Sequence, residues 1–353
     1  MKILIYLGHP AHFHFYKNSI VKWKSAGHTC LILIKKKDVL EDLVQSAGFE
    51  YYNILEHGRK DSFIGILVGL LKRSLKLLQY CLKHKPDILT GTSVENSFIG
   101  KLLGIPVVNL NEDDAAVVPL YAKLSYPWAD VILNPRVCNS GKWDKKAIKY
   151  ESYHELAYLH PNHFTPNKKI VEKYFSADTP YFIIRLAKLN AHHDHGMKGI
   201  NDKIAEKIIE ILKPHGSIYL TSERPFDCEL EQYRINIDPL DMHHVMAFAQ
   251  IYIVDSQTMA AEAGVLGVPF VRFNDFVGRI GYLNELENHY QLGFGVKTNE
   301  PEKLFDVIQM LIALPNREFI FADRRKKMLE DKIDFEKFLT SFIENYPRNN
   351  LTF

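Results

Sequence analysis

Short apolar runs alternate with longer amphipathic stretches along almost the whole chain. The runs at 3–7, 29–34, 87–89, 107–110 and 131–133 are rich in Ile, Leu and Val and read as strands buried on both faces. Between them, 15–26, 40–47, 63–84 and 96–103 carry helical spacing. Alternation of this kind predicts a parallel sheet with helices on both faces. The run at 131–133 stops at Asn134-Pro135, a strand terminator.

Two prolines among polar residues at 160–167 mark a linker. A second series follows, with strands at 181–184, 217–220, 251–254 and 270–272 and helices at 203–212, 242–249 and 259–266. The stretches 301–314 and 335–345 read as closing helices. The expected architecture is α/β: two Rossmann-like doubly wound domains, 1–163 and 164–353, facing a cleft. The last helix is a candidate to pack back on the first domain. Ligands of such sheets bind outside the carboxyl ends of the strands, so the loops after those ends hold the residues to weigh.

Composition narrows this picture without changing it. A length of 353 residues suits two domains, and 46% hydrophobic content suits a packed core. Lys+Arg 44 against Asp+Glu 42 leaves a net charge of +2, so no electrostatic case exists for a nucleic-acid partner. Cys30, Cys81, Cys138 and Cys228 lie far apart with no CxxC pair, which points to a reducing, cytoplasmic setting and away from structural zinc. The apolar run at 63–82 is broken by Lys72, Arg73 and Lys76. That reads as a long helix on the sheet, or as a surface touching lipid or a partner, and not as a membrane span.

The most informative segment is Asp255-Ser256-Gln257-Thr258-Met259-Ala260-Ala261-Glu262-Ala263, after the run at 251–254. A turn that opens into a helix at a strand's carboxyl end offers free N–H groups and a positive dipole end, a seat for phosphate. Glu262 lies about one helical turn on, where its carboxylate can accept from both hydroxyls of a ribose. An ordinary βα unit with a surface Glu is the competing account. Arg185, Ser222 and Arg224 follow strands of the same domain and offer a guanidinium and a hydroxyl for diphosphate contact. In the first domain His12 and His14 sit at a helix start, where an imidazole is held neutral; each either takes a proton from a hydroxyl or caps the helix. Glu112-Asp113-Asp114 follow the run at 107–110, and one of them is a candidate acid or base. The cluster His192-His193-Asp194-His195 suits anion contact better than metal, because neighbouring side chains in an extended loop diverge.

Taken as a set, Pro10-Ala11-His12-Phe13-His14-Phe15, the segment from Tyr153 to Pro161, Asn190-Ala191-His192-His193-Asp194, Thr221-Ser222-Glu223-Arg224-Pro225 and the Asp255 segment resemble a domain-of-unknown-function family. That family is GT-B-like, related to UDP-N-acetylglucosamine 2-epimerase and GT-B glycosyltransferases, and the resemblance covers nearly the entire chain. It implies a nucleotide-diphosphate sugar, probed first as a UDP-sugar, as substrate with no separate cofactor and no metal. It implies a glycan or lipid-linked acceptor, work in surface polysaccharide or glycan synthesis, and contact with the inner membrane face as a further candidate. Ser256, Gln257 and Thr258 are similar in position to the relatives' Ser-Gly-Gly phosphate loop, with both glycines replaced. Glu262 is similar to their ribose-holding Glu, His14 to the transferase base, and Glu112 to an epimerase glutamate. Gly91-Thr92-Ser93 stands where the epimerases carry an Asp. The implied activities are sugar transfer, epimerisation or hydrolysis of a nucleotide sugar, or binding without turnover.

Overall fold

The computed structural model of the protein describes residues 1–37, 39–55, 63–176, 178–187 and 198–346. The chain forms two compact units, Met1–Tyr158 with Ile333–Phe353, and Leu159–Lys332.

The first unit opens with β1 (Lys2–Leu7), α1 (Pro10–Ser25), β2 (Thr29–Lys35), α2 (Leu40–Ser46) and β3 (Tyr51–Leu55). It continues through α3 (Phe63–His84), β4 (Ile88–Gly91), α4 (Val94–Leu103), β5 (Val107–Leu110), α5 (Pro119–Ser125), β6 (Val131–Pro135) and β7 (Ala147–Tyr150). The strands form a parallel sheet in the order β3-β2-β1-β4-β5-β6-β7. The chain winds outward from β1 to β3, then returns through α3 and runs from β4 to β7. Right-handed crossovers therefore place α1 and α2 on one face and α3, α4 and α5 on the other. Ile3, Leu4, Ile5 and Leu7 of the central strand are fully buried, which is why β1 is apolar on both sides. Leu77 and Cys81 of α3 pack with Leu4, Leu89 and Ile99 in one cluster. Gly91 has φ 131°, and a Cβ there would meet the Tyr6 carbonyl oxygen at 2.6 Å, so the end of β4 requires glycine.

The second unit contains α6 (Lys168–Val171), β8 (Tyr181–Leu186), α7 (Asp202–Leu212), β9 (Ser217–Ser222), α8 (Met242–Met246) and β10 (Tyr252–Val254). After these come α9 (Gln257–Leu266), β11 (Phe270–Phe273), α10 (Gly281–Asn284), β12 (Gly293–Val296), α11 (Pro301–Ala313) and α12 (Arg317–Asp331). Its parallel sheet runs β12-β11-β10-β8-β9. The connection from β8 goes one way and that from β10 the other, so the sheet reverses between these two neighbours. A fully buried Arg272 on β11 is held by Glu287 at 2.8 Å and Asn274 at 3.2 Å. The last helix, α13 (Phe335–Asn345), belongs to the first unit and buries Phe335, Leu339 and Phe342. It packs on α1, where Lys22 pairs with Glu336.

The apolar runs marked the central strands and the edge strand β9 and missed the other three edges. β3, β7 and β12 were not foreseen, nor were α5 and α12. In β12 the glycines hide the strand: a Cβ on Gly293 would meet the Phe270 ring at 2.3 Å, and one on Gly295 would meet the Glu287 carboxylate at 2.5 Å. In α12 the charged run Arg324-Arg325-Lys326-Lys327 masks a helix that buries Phe321 and Met328, seven residues apart. No described helix is long and apolar enough to cross a membrane.

Candidate functional site

At the carboxyl end of β1 the chain turns at Gly8 and enters α1 five residues earlier than its periodicity suggests. Pro10 supplies a preset φ at the first helical position, and His9 caps the helix, its ring nitrogen accepting from the Ala11 N–H at 3.2 Å. His12 turns back so that its Nδ1 accepts from the Gly8 N–H at 3.1 Å. That bond places the ring proton on Nε2 and makes His12 a donor. Burial, then the positive Lys35 and Lys37, push its pKa down to about 3. His14, two residues further on, is buried, edge-on to Phe13 at 5.3 Å and tilted against Tyr158 at 5.5 Å.

Glu112 follows β5 on a loop fixed by amide groups. The Asn111 amide donates to the Tyr126 hydroxyl at 2.7 Å, and the Asn134 amide donates to the Asn111 carbonyl at 2.7 Å. Glu112 meets a residue that sequence reasoning did not select: its Oε2 lies 3.4 Å from His154 Nδ1 and accepts from the His154 backbone N–H at 3.4 Å. The His154 ring packs against Phe15 at 4.4 Å and Phe335 at 5.6 Å. Burial, then the nearby His12, push its pKa down to about 3. A neutral ring that turns Nδ1–H toward a carboxylate leaves Nε2 as the basic atom. That atom is buried and has no hydrogen-bond partner among the described residues. The motif from Tyr153 to Pro161 was the available signal for it. Of the neighbouring acids, Asp114 accepts from the Asn139 N–H at 2.9 Å and so organises the loop.

In the second unit Asp255 follows β10 at the sheet reversal. Its two carboxyl oxygens accept from the N–H of Ala187, just past β8, at 2.7 Å and of Ile200 at 3.1 Å. Its own carbonyl accepts from the Asn274 amide at 2.9 Å. Burial raises the Asp255 carboxyl to about 7, against the opposing pull of those two N–H groups and of Arg224. Sequence reasoning used Asp255 only as the start of a motif; its place at the strand's end was the clue to this stapling role.

Ser256 is the N-cap of α9, its Oγ accepting from the Met259 N–H at 3.5 Å. The helix starts at Gln257, two residues earlier than expected, because the cap closes the turn on Ser256. Gln257 and Thr258 thus form the first turn, where helix N–H groups are free for an anion. Glu262 lies buried one turn on with His243 Nε2 at 3.0 Å from its Oε1. Arg185, on β8, pairs with the exposed Glu223. Ser222 serves its own turn, accepting from the Arg224 N–H at 3.1 Å and donating to the Arg224 carbonyl at 2.7 Å. Arg224 reaches Asp202 at 2.7 Å and the Ile200 carbonyl at 3.0 Å. A cavity of about 900 Å³ opens here, lined by Ala187, Ile200, Asn201, Arg224, Asp255 and Phe273 among others. Asp255 lines it; among the described residues, Ser256, Gln257 and Thr258 do not. The cluster from His192 to His195, and Asn190 before it, lie outside the described residues.

Two Rossmann-like units with their polar residues at the carboxyl edges of parallel strands define a GT-B-like α/β protein. The chain belongs to the family described as protein of unknown function DUF354, whose pattern matches residues 1–276. No curated protein matches it significantly. Among solved structures it is similar to the UDP-GlcNAc 2-epimerase from Neisseria meningitidis bound to UDP-GlcNAc, at 16% identity and a TM-score of 0.68, over 98% of this chain and 100% of that one. It is similar to MnaA of S. aureus in complex with UDP, at 13% identity and a TM-score of 0.68, over 98% of this chain and 96% of that one. It is also similar to the spinosyn rhamnosyltransferase SpnG complexed with thymidine diphosphate, at 12% identity and a TM-score of 0.62, over 98% of this chain and 100% of that one. At these identities the likeness is one of fold.

Proposed function

We propose that the protein is a GT-B-type glycosyltransferase that uses a nucleotide-diphosphate sugar. The observation that carries this is the start of α9: a capped helix N-terminus at Gln257 and Thr258 with a buried carboxylate, Glu262, one turn away. The helix N–H groups and Arg185 hold the diphosphate, with Arg185 leaving the exposed Glu223 for the stronger anion. Glu262, oriented by His243, accepts from the ribose hydroxyls. Support also comes from solved relatives of the same fold whose ligands are UDP-GlcNAc, UDP and thymidine diphosphate.

Transfer is inverting. The acceptor oxygen forms a bond to the anomeric carbon as the bond from that carbon to the diphosphate breaks. The acceptor proton goes to His14, and the leaving electron pair goes to the diphosphate, stabilised at the helix start. Glu112 acts on the first-unit side through His154. The acceptor is a glycan or a lipid-linked sugar, consistent with a role in surface polysaccharide synthesis, and no cofactor or metal takes part.

The alternative, a nucleotide-sugar 2-epimerase or hydrolase, is favoured by the Glu112–His154 pair, which supplies a carboxylate and a neutral imidazole. It is disfavoured at β4. Gly91 cannot gain a side chain without meeting the Tyr6 carbonyl, Thr92 donates to the Leu110 carbonyl at 2.5 Å, and Ser93 caps α4. The test is a melting-temperature screen with UDP, GDP and CMP, then incubation of the stabilising nucleotide's sugars with and without acceptor. Product only with acceptor supports transfer; an epimer or free nucleotide without acceptor supports the alternative; no shift with any nucleotide leaves a binder or scaffold of another kind.

A further inference from the structure

The two faces of the first unit's sheet differ in what lies outside them. The α1 face is covered by α13. The α3, α4 and α5 face has no such cover among the described residues, yet large apolar side chains stand exposed on it. On α3, Leu71 and Leu75 are 57% and 59% exposed; on α4, Leu102 is 60% exposed. A helix packed on a sheet ordinarily turns polar residues outward, so α3 is apolar on two faces: Leu77 and Cys81 inward, Leu71 and Leu75 outward.

The exposed apolar groups stand on neighbouring helices. α3 packs beside α4 and α4 beside α5. Phe98 and Leu102 stand one turn apart on α4, and Leu120 and Leu124 one turn apart on α5, all exposed. Exposed Phe98 touches exposed Trp128, just past α5, edge-on at 6.0 Å, which joins the two helices at the surface. A monomer rarely leaves so many large apolar groups together without a use for them.

Charge identifies the use. The three helices contain one carboxylate, Glu95, and it is buried against Arg73. Every other charge on them is positive. Lys72, Lys101 and Lys123 are exposed and carry no ion pair among the described residues. An interfacial surface has this composition: Leu, Phe and Trp to enter the acyl boundary, and lysines to reach the phosphates. A second copy of the chain fits poorly, because a two-fold interface on this face sets lysine against lysine with no carboxylate to answer it.

We infer that the outer face of α3, α4 and α5 docks on an anionic lipid surface, with the apolar side chains entering the headgroup boundary. The inference does not rest on the nucleotide-sugar reading.

The test is flotation of the whole protein with vesicles of phosphatidylcholine alone and of phosphatidylcholine mixed with phosphatidylglycerol. Binding to the mixed vesicles is expected, weaker at high salt. The double change Leu71→Ser with Leu75→Ser should lower partition about tenfold or more. Lys72→Gln and Lys101→Gln should each lower it about fivefold. All four positions are exposed, so the variants should melt with the wild type, and nucleotide-induced melting shifts should not change. No binding to mixed vesicles, or binding that the leucine changes leave intact, overturns the inference. So does a dimer in sedimentation that Leu71→Ser dissolves, since a second copy would then be the occupant.

Discussion

The carboxyl edges of the two sheets achieve the same end with opposite chemistry. In the first unit bases are held without their protons: His12 and His154 are pushed down to about 3. In the second an acid is held with its proton up to near neutrality: Asp255 is raised to about 7. In each case burial is the largest cause. One edge thus offers imidazoles held neutral, His12 as a donor and His154 with its Nε2 lone pair buried. The other offers a carboxyl that staples two backbone segments beside a helix start that welcomes an anion. The proposed transfer uses a proton acceptor at one edge and an anion seat at the other, and each can be changed separately.

The largest separation is expected from His14→Ala. Turnover should fall by about 10²–10⁴-fold, the usual worth of a positioned general base, while the nucleotide dissociation constant stays at the wild-type value. Steady-state rates beside calorimetry check this; equal loss in both quantities would return His14 to a packing role.

Acid should act on the two edges in opposite directions. An imidazole that falls from 6.5 to about 3 on folding binds fewer protons folded than unfolded, so its contribution to stability grows as pH rises between those values. A carboxyl that rises from 3.8 to about 7 binds more protons folded, so its contribution is full below about 4 and is lost as pH climbs through about 7. Each group's slope is at most about 1.4 kcal/mol per pH unit. Hydrogen exchange of the β1–α1 and β8–β10 peptides from pH 4 to 7 should show protection rising in the first and falling in the second. Asp255→Asn should flatten only the second.

Smaller effects should follow at the proposed ribose contact. Glu262→Gln keeps the side chain's shape and its hydrogen bond to His243 but removes the charge. Nucleotide affinity should drop by about tenfold, the difference between a charged and a neutral acceptor, with His14-dependent chemistry intact at saturation. Calorimetry with the stabilising nucleotide reads this directly.

The sequence made legible what depends on local pattern. Apolar runs located the central strands β1, β5 and β10, and the polar turn at Ser256 located the helix start. Edge strands stayed hidden where packing overrides propensity, as at Gly293 and Gly295, whose missing side chains make room for Phe270 and Glu287. The candidate residues Arg185, Ser222, Ser256, Gln257, Thr258, Glu262, Glu112 and His14 were chosen by their place after strands. Their partners were not legible, because pairing is a property of tertiary distance. His154 is 42 residues from Glu112, and Asp255 is 68 residues from Ala187. Periodicity carries no trace of contacts at such separations.

The central claim is that the first turn of α9 seats a nucleoside diphosphate, and Gln257→Glu tests it most directly. A carboxylate in the first turn of a helix favours the helix dipole by about 0.3–1 kcal/mol, so the free protein should melt at or slightly above the wild-type temperature. The same charge repels a diphosphate, so the melting shift induced by nucleotide in the wild type should collapse in the variant. An undiminished shift in Gln257→Glu would contradict the account.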